Sequence, residues 1–461
     1  MRTRPRLALV ALLLAVPAAA QEPSEYDRAL AAGYKAQFLC SGLWNGGKTR
    51  EQIERDELTG IYERIAALVP TLPAEVDEDA EQVRVAFDPA MPPRVAQWRD
   101  GLGCAALPIG ARPEDAAHLP AFATTNGLQT FDGRRWPMGD EEAEAPLPRR
   151  LTELERVAGS AFTPAAFGGR TSAVVVVQGG HIVAERYMEG HDRSTSQRTW
   201  SVAKSLAATL IGHAVQRGLI RTDQPAAIAA WRAPGDPRAA ITVDQLLRMA
   251  SGLTSDTAGN RTDAIYMGGT AVAEQAPHWP LLHPPGSTYR YANNDSLLAV
   301  RALMERLPEE ERLGFPLVFF RRLGMTRTVA ETDWRGDFVL SSQVWTTARD
   351  LARLGLLYLN DGVWEGARLL PEGWRDYVSR PSGPQPDGQF GYGAAFWLMN
   401  RSEGVPRDAF AAFGNRGQYL VIVPSRDLVI VRRGYDTAED RFDVAAFTRA
   451  VVAAAERRPA G

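Results

Sequence analysis

Trp200-Ser201-Val202-Ala203-Lys204-Ser205-Leu206 opens the run S-V-A-K-S-L-A-A-T-L-I-G. Ala203, Leu206, Ala207, Leu210 and Ile211 recur at helical spacing, so the run predicts the start of a buried helix, interrupted at Gly212. Residues three apart share a helix face, which places the Ser201 hydroxyl beside the Lys204 amine. A serine hydroxyl is a weak nucleophile until a base takes its proton, and a lysine does that only when burial or a neighbouring cation lowers its pKa. Composition sharpens the point. Of 52 Lys plus Arg, only Lys35, Lys48 and Lys204 are lysine. Arginine does not deprotonate in proteins and lysine can. The competing reading is a coincidental Ser-x-x-Lys on a solvated helix face; the apolar surroundings argue against it.

At 461 residues the chain is long enough for one large core and a smaller domain. A net charge of −3 leaves no nucleic-acid footprint. Arg2, Arg4 and Arg6, the apolar run Leu7–Val16 and Ala18-Ala19-Ala20 describe a secretory signal peptide over residues 1–20, with cleavage expected after Ala20 and a periplasmic or secreted product. The run is too short for a membrane span, and no later stretch is long enough. Two cysteines, Cys40 and Cys104, remain; in an exported protein a lone pair is most simply a disulfide. The six histidines are scattered with no ligand spacing, so no metal and no cofactor are expected.

Residues 21–110 read as a small N-terminal appendage, with helices over Tyr26–Cys40 and Glu51–Leu68 and extended segments over Glu81–Phe87 and Gln97–Cys104. Residues 111–149, rich in Pro, Gly and acidic side chains, read as an irregular linker. The main domain spans 150–457. Ser172–Val177 and His181–Tyr187 flank Gly179-Gly180 as a hairpin, and Gln418–Val423 with Leu428–Arg433 form another. Helices are predicted over Ile241–Met249, Ser296–Leu307, Thr346–Leu359 and Val444–Ala455. Strands at both ends with helix between predict an α/β (α+β) fold: an antiparallel sheet of chain-distant strands, flanking helices and a helical lobe.

A Ser/Lys site needs a second proton carrier and oxyanion donors. Tyr291-Ala292-Asn293 offers a hydroxyl whose pKa a cationic lysine would lower, and an amide to hold Lys204 or substrate. Gly414-Asn415-Arg416-Gly417-Gln418 precedes the last hairpin, and its glycines allow close approach of substrate to backbone. The N–H groups of Gln418 and Ser201 are candidate oxyanion donors, with Asn293, Asn415, Arg416 and Gly417 as further substrate-binding candidates. Each short motif alone also reads as an ordinary loop or turn; their order gives them weight.

The ordered set S-V-A-K, Y-A-N and G-N-R-G resembles the serine hydrolases of the class C β-lactamase and penicillin-binding-protein fold, as does Thr242–Leu253. Within that fold the chain is most similar to the 6-aminohexanoate-dimer hydrolase-like branch, through W-S-V-A-K-S, Thr347–Gly362, Gly391–Trp397 and G-N-R-G-Q-Y. F-L-C-S-G-L with G-L-G-C resembles an appendage of exported members. The resemblance covers roughly residues 150–455, and 25–105 more loosely. It implies an acyl-enzyme on Ser201, with Lys204 and Tyr291 as the base system, and a small-molecule amide or ester substrate. One departure matters: the family places Lys-Thr-Gly, or His in place of the Lys, where this chain has Asn415-Arg416-Gly417. The missing lysine argues against β-lactam carboxylate binding unless Arg416 replaces it. The other readings are a β-lactamase or D,D-peptidase and a catalytically retired binding module. A Ser-His-Asp hydrolase lacks its G-x-S-x-G elbow. Asp244/Arg248 and Thr347/Arg349/Asp350 read as structural helix pairs and caps, and Tyr266 and Trp397 as either cleft or core.

Overall fold

The computed structural model describes residues 23–122, 133–141, 150–254 and 262–456; the expected signal peptide and most of the acidic end of the linker lie outside the described residues. The two valine- and isoleucine-rich hairpins foreseen in the sequence become the centre of the molecule. Strands β5 (Thr171–Gln178) and β6 (His181–Tyr187) join β7 (Gly391–Tyr392), β8 (Trp397–Leu398), β9 (Phe410–Gly414), β10 (Gln418–Val423) and β11 (Leu428–Gly434). They form one seven-stranded antiparallel sheet in the order β7-β8-β9-β10-β11-β5-β6. The chain-distant join is β11 to β5, with Val431 opposite Val175 and Val429 opposite Val177.

Period-two alternation sends these strands' side chains to two separate cores. Val175, Val177, Leu420, Ile422, Val429 and Val431 face a core shared with Leu206 and Leu210 of helix Val202–Gln216 and with Leu351, Leu354 and Leu357 of helix Ala348–Leu359. Val174, Val176, Val421 and Ile430 face the other core, closed by Val157 and Phe447 of helices Arg150–Ser160 and Val444–Glu456. The result is a helix–sheet–helix sandwich with a helical lobe that includes Asn293–Met304, in agreement with the expected α/β (α+β) class.

The N-terminal module is less of an appendage than its composition suggests. Its helix Glu25–Trp44 has an unbroken run of buried residues from Ala29 to Gly42, and a helix buried all round is a core element. One side packs on a four-stranded antiparallel sheet, Ala74–Asp77, Gln82–Val85, Arg94–Arg99 and Gly103–Ala106. Its carboxy-terminal half meets Glu331 of the main unit, whose carboxyl accepts from Ser41 Oγ (2.6 Å), Asn45 Nδ2 (2.8 Å) and the Cys104 N–H (3.1 Å). The expected long helix over Glu51–Leu68 is instead two short ones, Arg50–Asp56 and Glu63–Ala66. The intervening Gly60 has φ +62°, which ends helical continuity. In the linker, Arg353 donates to the carbonyls of Pro137 (2.6 Å) and Gly139 (2.8 Å), fastening that segment to the Ala348–Leu359 helix.

Cys40 and Cys104 form the expected disulfide, with Cα atoms 6.1 Å apart. It joins the buried helix to the last strand of its sheet across a separation of 64 residues, a loop whose closure is worth about 4 kcal/mol in the chain-entropy model. The double variant Cys40→Ala/Cys104→Ala should therefore unfold at a lower denaturant midpoint by that order of free energy. Its transition should be insensitive to reductant, whereas the parent's should shift to the variant's.

Candidate active site

Thr199 is pinned by its N–H to the Val344 carbonyl (2.8 Å), and the chain then turns sharply at Trp200, which has φ +51°. A tryptophan in the left-handed region is strained, and strain of this kind persists only where the surroundings enforce it. Here the Arg198 guanidinium carbon sits over the Trp200 ring, 3.7 Å from its centre, with the Phe38 ring of the N-terminal module at 4.2 Å. The turn delivers Ser201 as the residue capping helix Val202–Gln216, half-exposed to a cleft while everything behind it is buried.

Lys204, one turn along, is 1 % exposed. Its Nζ donates to Ser201 Oγ (3.1 Å), Asn293 Oδ1 (2.6 Å) and the Ser341 carbonyl (2.8 Å). Asn293 is aimed by its own Nδ2, which donates to Thr262 Oγ1 (3.1 Å). Burial, with a smaller contribution from Arg198, lowers the Lys204 pKa to about 7. A neutral amine keeps only two protons. With the Asn293 and Ser341 acceptors holding both, its lone pair points at the Ser201 hydroxyl, the arrangement a general base requires.

Tyr291 packs beside this pair, its ring centre 5.1 Å from Lys204 Nζ. Burial pushes its pKa well above the usual tyrosine range, only partly opposed by a hydrogen bond with Ser201. The expectation that the lysine would lower it is corrected: the amine is itself only partly charged near pH 7, and desolvation of the tyrosine dominates. Tyr291 is therefore a protonated hydroxyl, able to give a proton and take one back. Trp397 (5.4 Å) and Tyr392 (5.9 Å) fix its ring.

Gly414 and Asn415 line the cleft opposite Ser201. A Cβ on Gly414 would lie 2.2 Å from the Thr199 carbonyl oxygen and 3.3 Å from the Ser201 nitrogen, so only glycine lets this strand end approach the nucleophile's turn. Gln418 is not brought to the cleft. It is 2 % exposed, its Oε1 accepts from Arg433 Nε (2.7 Å), and its Nε2 donates to the carbonyls of Arg416 (3.0 Å) and Gly434 (2.6 Å). Arg416, at φ +58°, turns its guanidinium to the Asp56 carbonyl (2.6 Å) of the N-terminal module. Gly417 lies behind, where its carbonyl accepts from Arg432 Nη1 (2.9 Å). The structure thus groups Ser201, Lys204, Tyr291, Asn293 and Asn415, and places Arg416 and Gly417 along a side lobe.

The cleft encloses about 410 Å³ and is walled by Tyr266, Trp397 and Phe413 as well as by Tyr62. Of the two aromatics that read as either cleft or core, Trp397 lines the cleft, and Tyr266 lines it while also packed in the main core. Tyr62, contributed by the N-terminal module, carries no motif that reading along the chain would detect. Asp244 and Arg248 pair at 2.8 Å, and Thr347 caps its helix through the Asp350 N–H (3.1 Å), both structural as expected.

Ser201 at a helix start against an antiparallel sheet, with the buried Lys204 amine one turn on, is a Ser-x-x-Lys arrangement of the kind a serine hydrolase uses. The chain belongs to the Beta-lactamase family, whose model matches residues 164–453. It is 28% identical over 290 residues to the 6-aminohexanoate-dimer hydrolase of Paenarthrobacter ureafaciens, covering 57% of this chain and 72% of that one. In fold it is similar to a Bacillus anthracis protein assigned as a 6-aminohexanoate-dimer hydrolase (TM-score 0.52, 21% identity, 74% of this chain and 88% of that one). It is similar also to the penicillin-binding protein of Bacillus halodurans (TM-score 0.51, 15% identity, 64% and 99%). The N-terminal module precedes the family match.

The close approach at Gly414 yields a prediction. Gly414→Ala should displace the Ser201 turn and lower the rate of Ser201 phosphonylation by a fluorophosphonate by about 10²-fold, the scale expected for a misplaced reacting group. Thermal melting should show the variant still folded.

Proposed function

We propose that the protein is an exported hydrolase that cleaves an amide or ester bond of a small substrate through an acyl-enzyme on Ser201. The observation that carries this reading is the Lys204 amine, held by neutral acceptors and aimed at the Ser201 hydroxyl. Lys204 takes the hydroxyl proton as Oγ bonds to the substrate carbonyl carbon. The oxyanion that forms is met by the Ser201 N–H at the helix start and by backbone at Gly414-Asn415, in place of the Gln418 donor first considered. The bond to the leaving amine or alcohol then breaks, Tyr291 giving its proton to that group and recovering one from Lys204. Water attacks the acyl carbon, its proton returns to the base system, and Ser201 is released with the acid product.

Support for an amide or ester substrate over a β-lactam comes from Arg416, whose guanidinium is committed to Asp56 and so is not presented as a carboxylate-binding lysine would be. The 28% identical relative is named for hydrolysis of a linear amide, which points the same way. Export rests on the sequence of residues 1–20 and accords with the disulfide.

A panel of p-nitrophenyl esters, short linear amides including the aminohexanoate dimer, and nitrocefin tests the reading. Turnover of esters or amides that disappears in Ser201→Ala, with nitrocefin untouched, is the expected result. Nitrocefin turnover lost with Ser201→Ala would instead favour the β-lactamase reading. Because Lys204 must be neutral to act, kcat/KM should rise about tenfold per pH unit below about 7 and level off above it. Lys204→Arg keeps the charge but never deprotonates, so it should cost at least about 10²-fold at every pH.

A further inference from the structure

We propose that the N-terminal module is a working part of the catalytic site. Its 60–62 segment forms one wall of a second subsite that takes an apolar arm of the substrate, with Tyr62 as the specificity-determining residue. The inference rests on Ser201 being the nucleophile.

A lobe of about 360 Å³ adjoins the Ser201 cleft. The two abut, since Tyr62, Trp200, Phe413, Gly414, Asn415 and Arg441 line both. A substrate whose carbonyl sits at Ser201 would extend into the lobe alongside Tyr62. On one side the lobe is bounded by Gly60, Ile61 and Tyr62, and on the other by Asp436, Thr437 and Ala438 of the main unit, with Tyr419 below. The nearest acid is already occupied. Asp436 Oδ1 accepts from Arg432 Nη2 (2.7 Å) and the Arg170 N–H (3.0 Å), and Oδ2 from the Phe442 N–H (3.1 Å). Arg441 is exposed at the rim. Besides Asn415, Thr437 and the edge of Arg416, a ligand meets the aromatic surface of Tyr62, Trp200, Phe413 and Tyr419 with the Ile61 side chain, a stretch of lining suited to an alkyl or aryl chain.

The wall is fixed rather than loosely apposed. Tyr62 meets the Trp200 and Tyr34 rings edge-on, each at 6.0 Å. Just upstream, Arg416 binds the Asp56 carbonyl, and the Asp56 carboxylate pairs with Arg170 at 2.8 Å. Glu57 pairs with the buried Lys48, which also donates to Tyr435 Oη (2.8 Å). Tyr435 adjoins the segment that makes the opposite wall. Both walls thus hang from one polar cluster, and Arg416 acts as a positioning residue within it.

The test compares the second-order rate of Ser201 labelling by two fluorophosphonates, one with a methyl arm and one with an octyl arm. In each, the Ser201 Oγ–P bond forms, the P–F bond breaks and fluoride leaves. The parent protein should favour the octyl probe by about tenfold or more. Tyr62→Ala should collapse that ratio severalfold, whereas Tyr62→Phe, which keeps the ring, should preserve it. Thr437→Trp narrows the lobe from the exposed rim and should collapse the ratio too, so the outcome does not depend on Tyr62→Ala folding well. A parent protein indifferent to arm length, or a ratio unmoved by both Tyr62→Ala and Thr437→Trp, would overturn the subsite and leave Ser201 reactivity standing. No labelling of the folded parent by either probe would overturn the Ser201 reading, and the subsite with it.

Discussion

A lysine amine serves as a base near neutral pH only where the protein withholds from it both water and negative charge. Lys204 meets that condition through the choice of its partners as much as through its depth. Asn293 Oδ1, the Ser341 carbonyl and Ser201 Oγ satisfy its protons, and none of them is anionic. A carboxylate at any of those places would hold the amine charged. Lys48 shows the contrast within the same chain: also buried, it faces the Glu57 carboxylate, which opposes the lowering that burial imposes on it. Arg198 adds positive charge near Lys204, and the aromatic rings of Phe38 and Trp200 let it stay there with little polar company.

Much of this was legible in the sequence because local pattern and local chemistry agreed. The valine-rich hairpins, the apolar helix behind Ser201 and the order of the three short motifs are all carried by residues near one another along the chain. The expectations that changed were those requiring knowledge of what lies across the fold. Whether Tyr291 gains or loses acidity depends on its surroundings, and spacing says nothing of them. The Gln418 N–H reads as available because it follows a glycine turn, yet Gln418 is buried, pairs with Gly414 across the sheet and is not among the residues lining the cleft. The break between Arg50–Asp56 and Glu63–Ala66 was missed because apolar periodicity continues across Gly60.

Lysine scarcity also reads differently in three dimensions. The arginines are not merely surface charge: Arg94, Arg349, Arg353, Arg432 and Arg433 are fully buried side chains. Each reaches backbone or carboxylate acceptors on distant segments. Arg433, for example, links Thr346, Gln197 and Arg198 through their carbonyls, and Arg94 joins Ala29, Met267 and Leu107. A planar group with five fixed donors can tie several strands and loops together where an ammonium cannot. Guanidinium groups thus act as internal fasteners, and they hold the N-terminal module and the linker against the sandwich.

The mixed parentage of the cleft has an evolutionary consequence. Ser201, Lys204, Tyr291 and Asn293 all come from the unit that matches the family, while Tyr62 comes from a segment that precedes it. The candidate reaction centre thus lies in the stretch that the family model matches, and one wall of its access lies ahead of that stretch. Drift in the leading segment can then remodel what enters the cleft while the inherited reaction centre stays as it is. Diversification by changing an accessory piece avoids the route that most often destroys an enzyme, which is alteration of its reactive core.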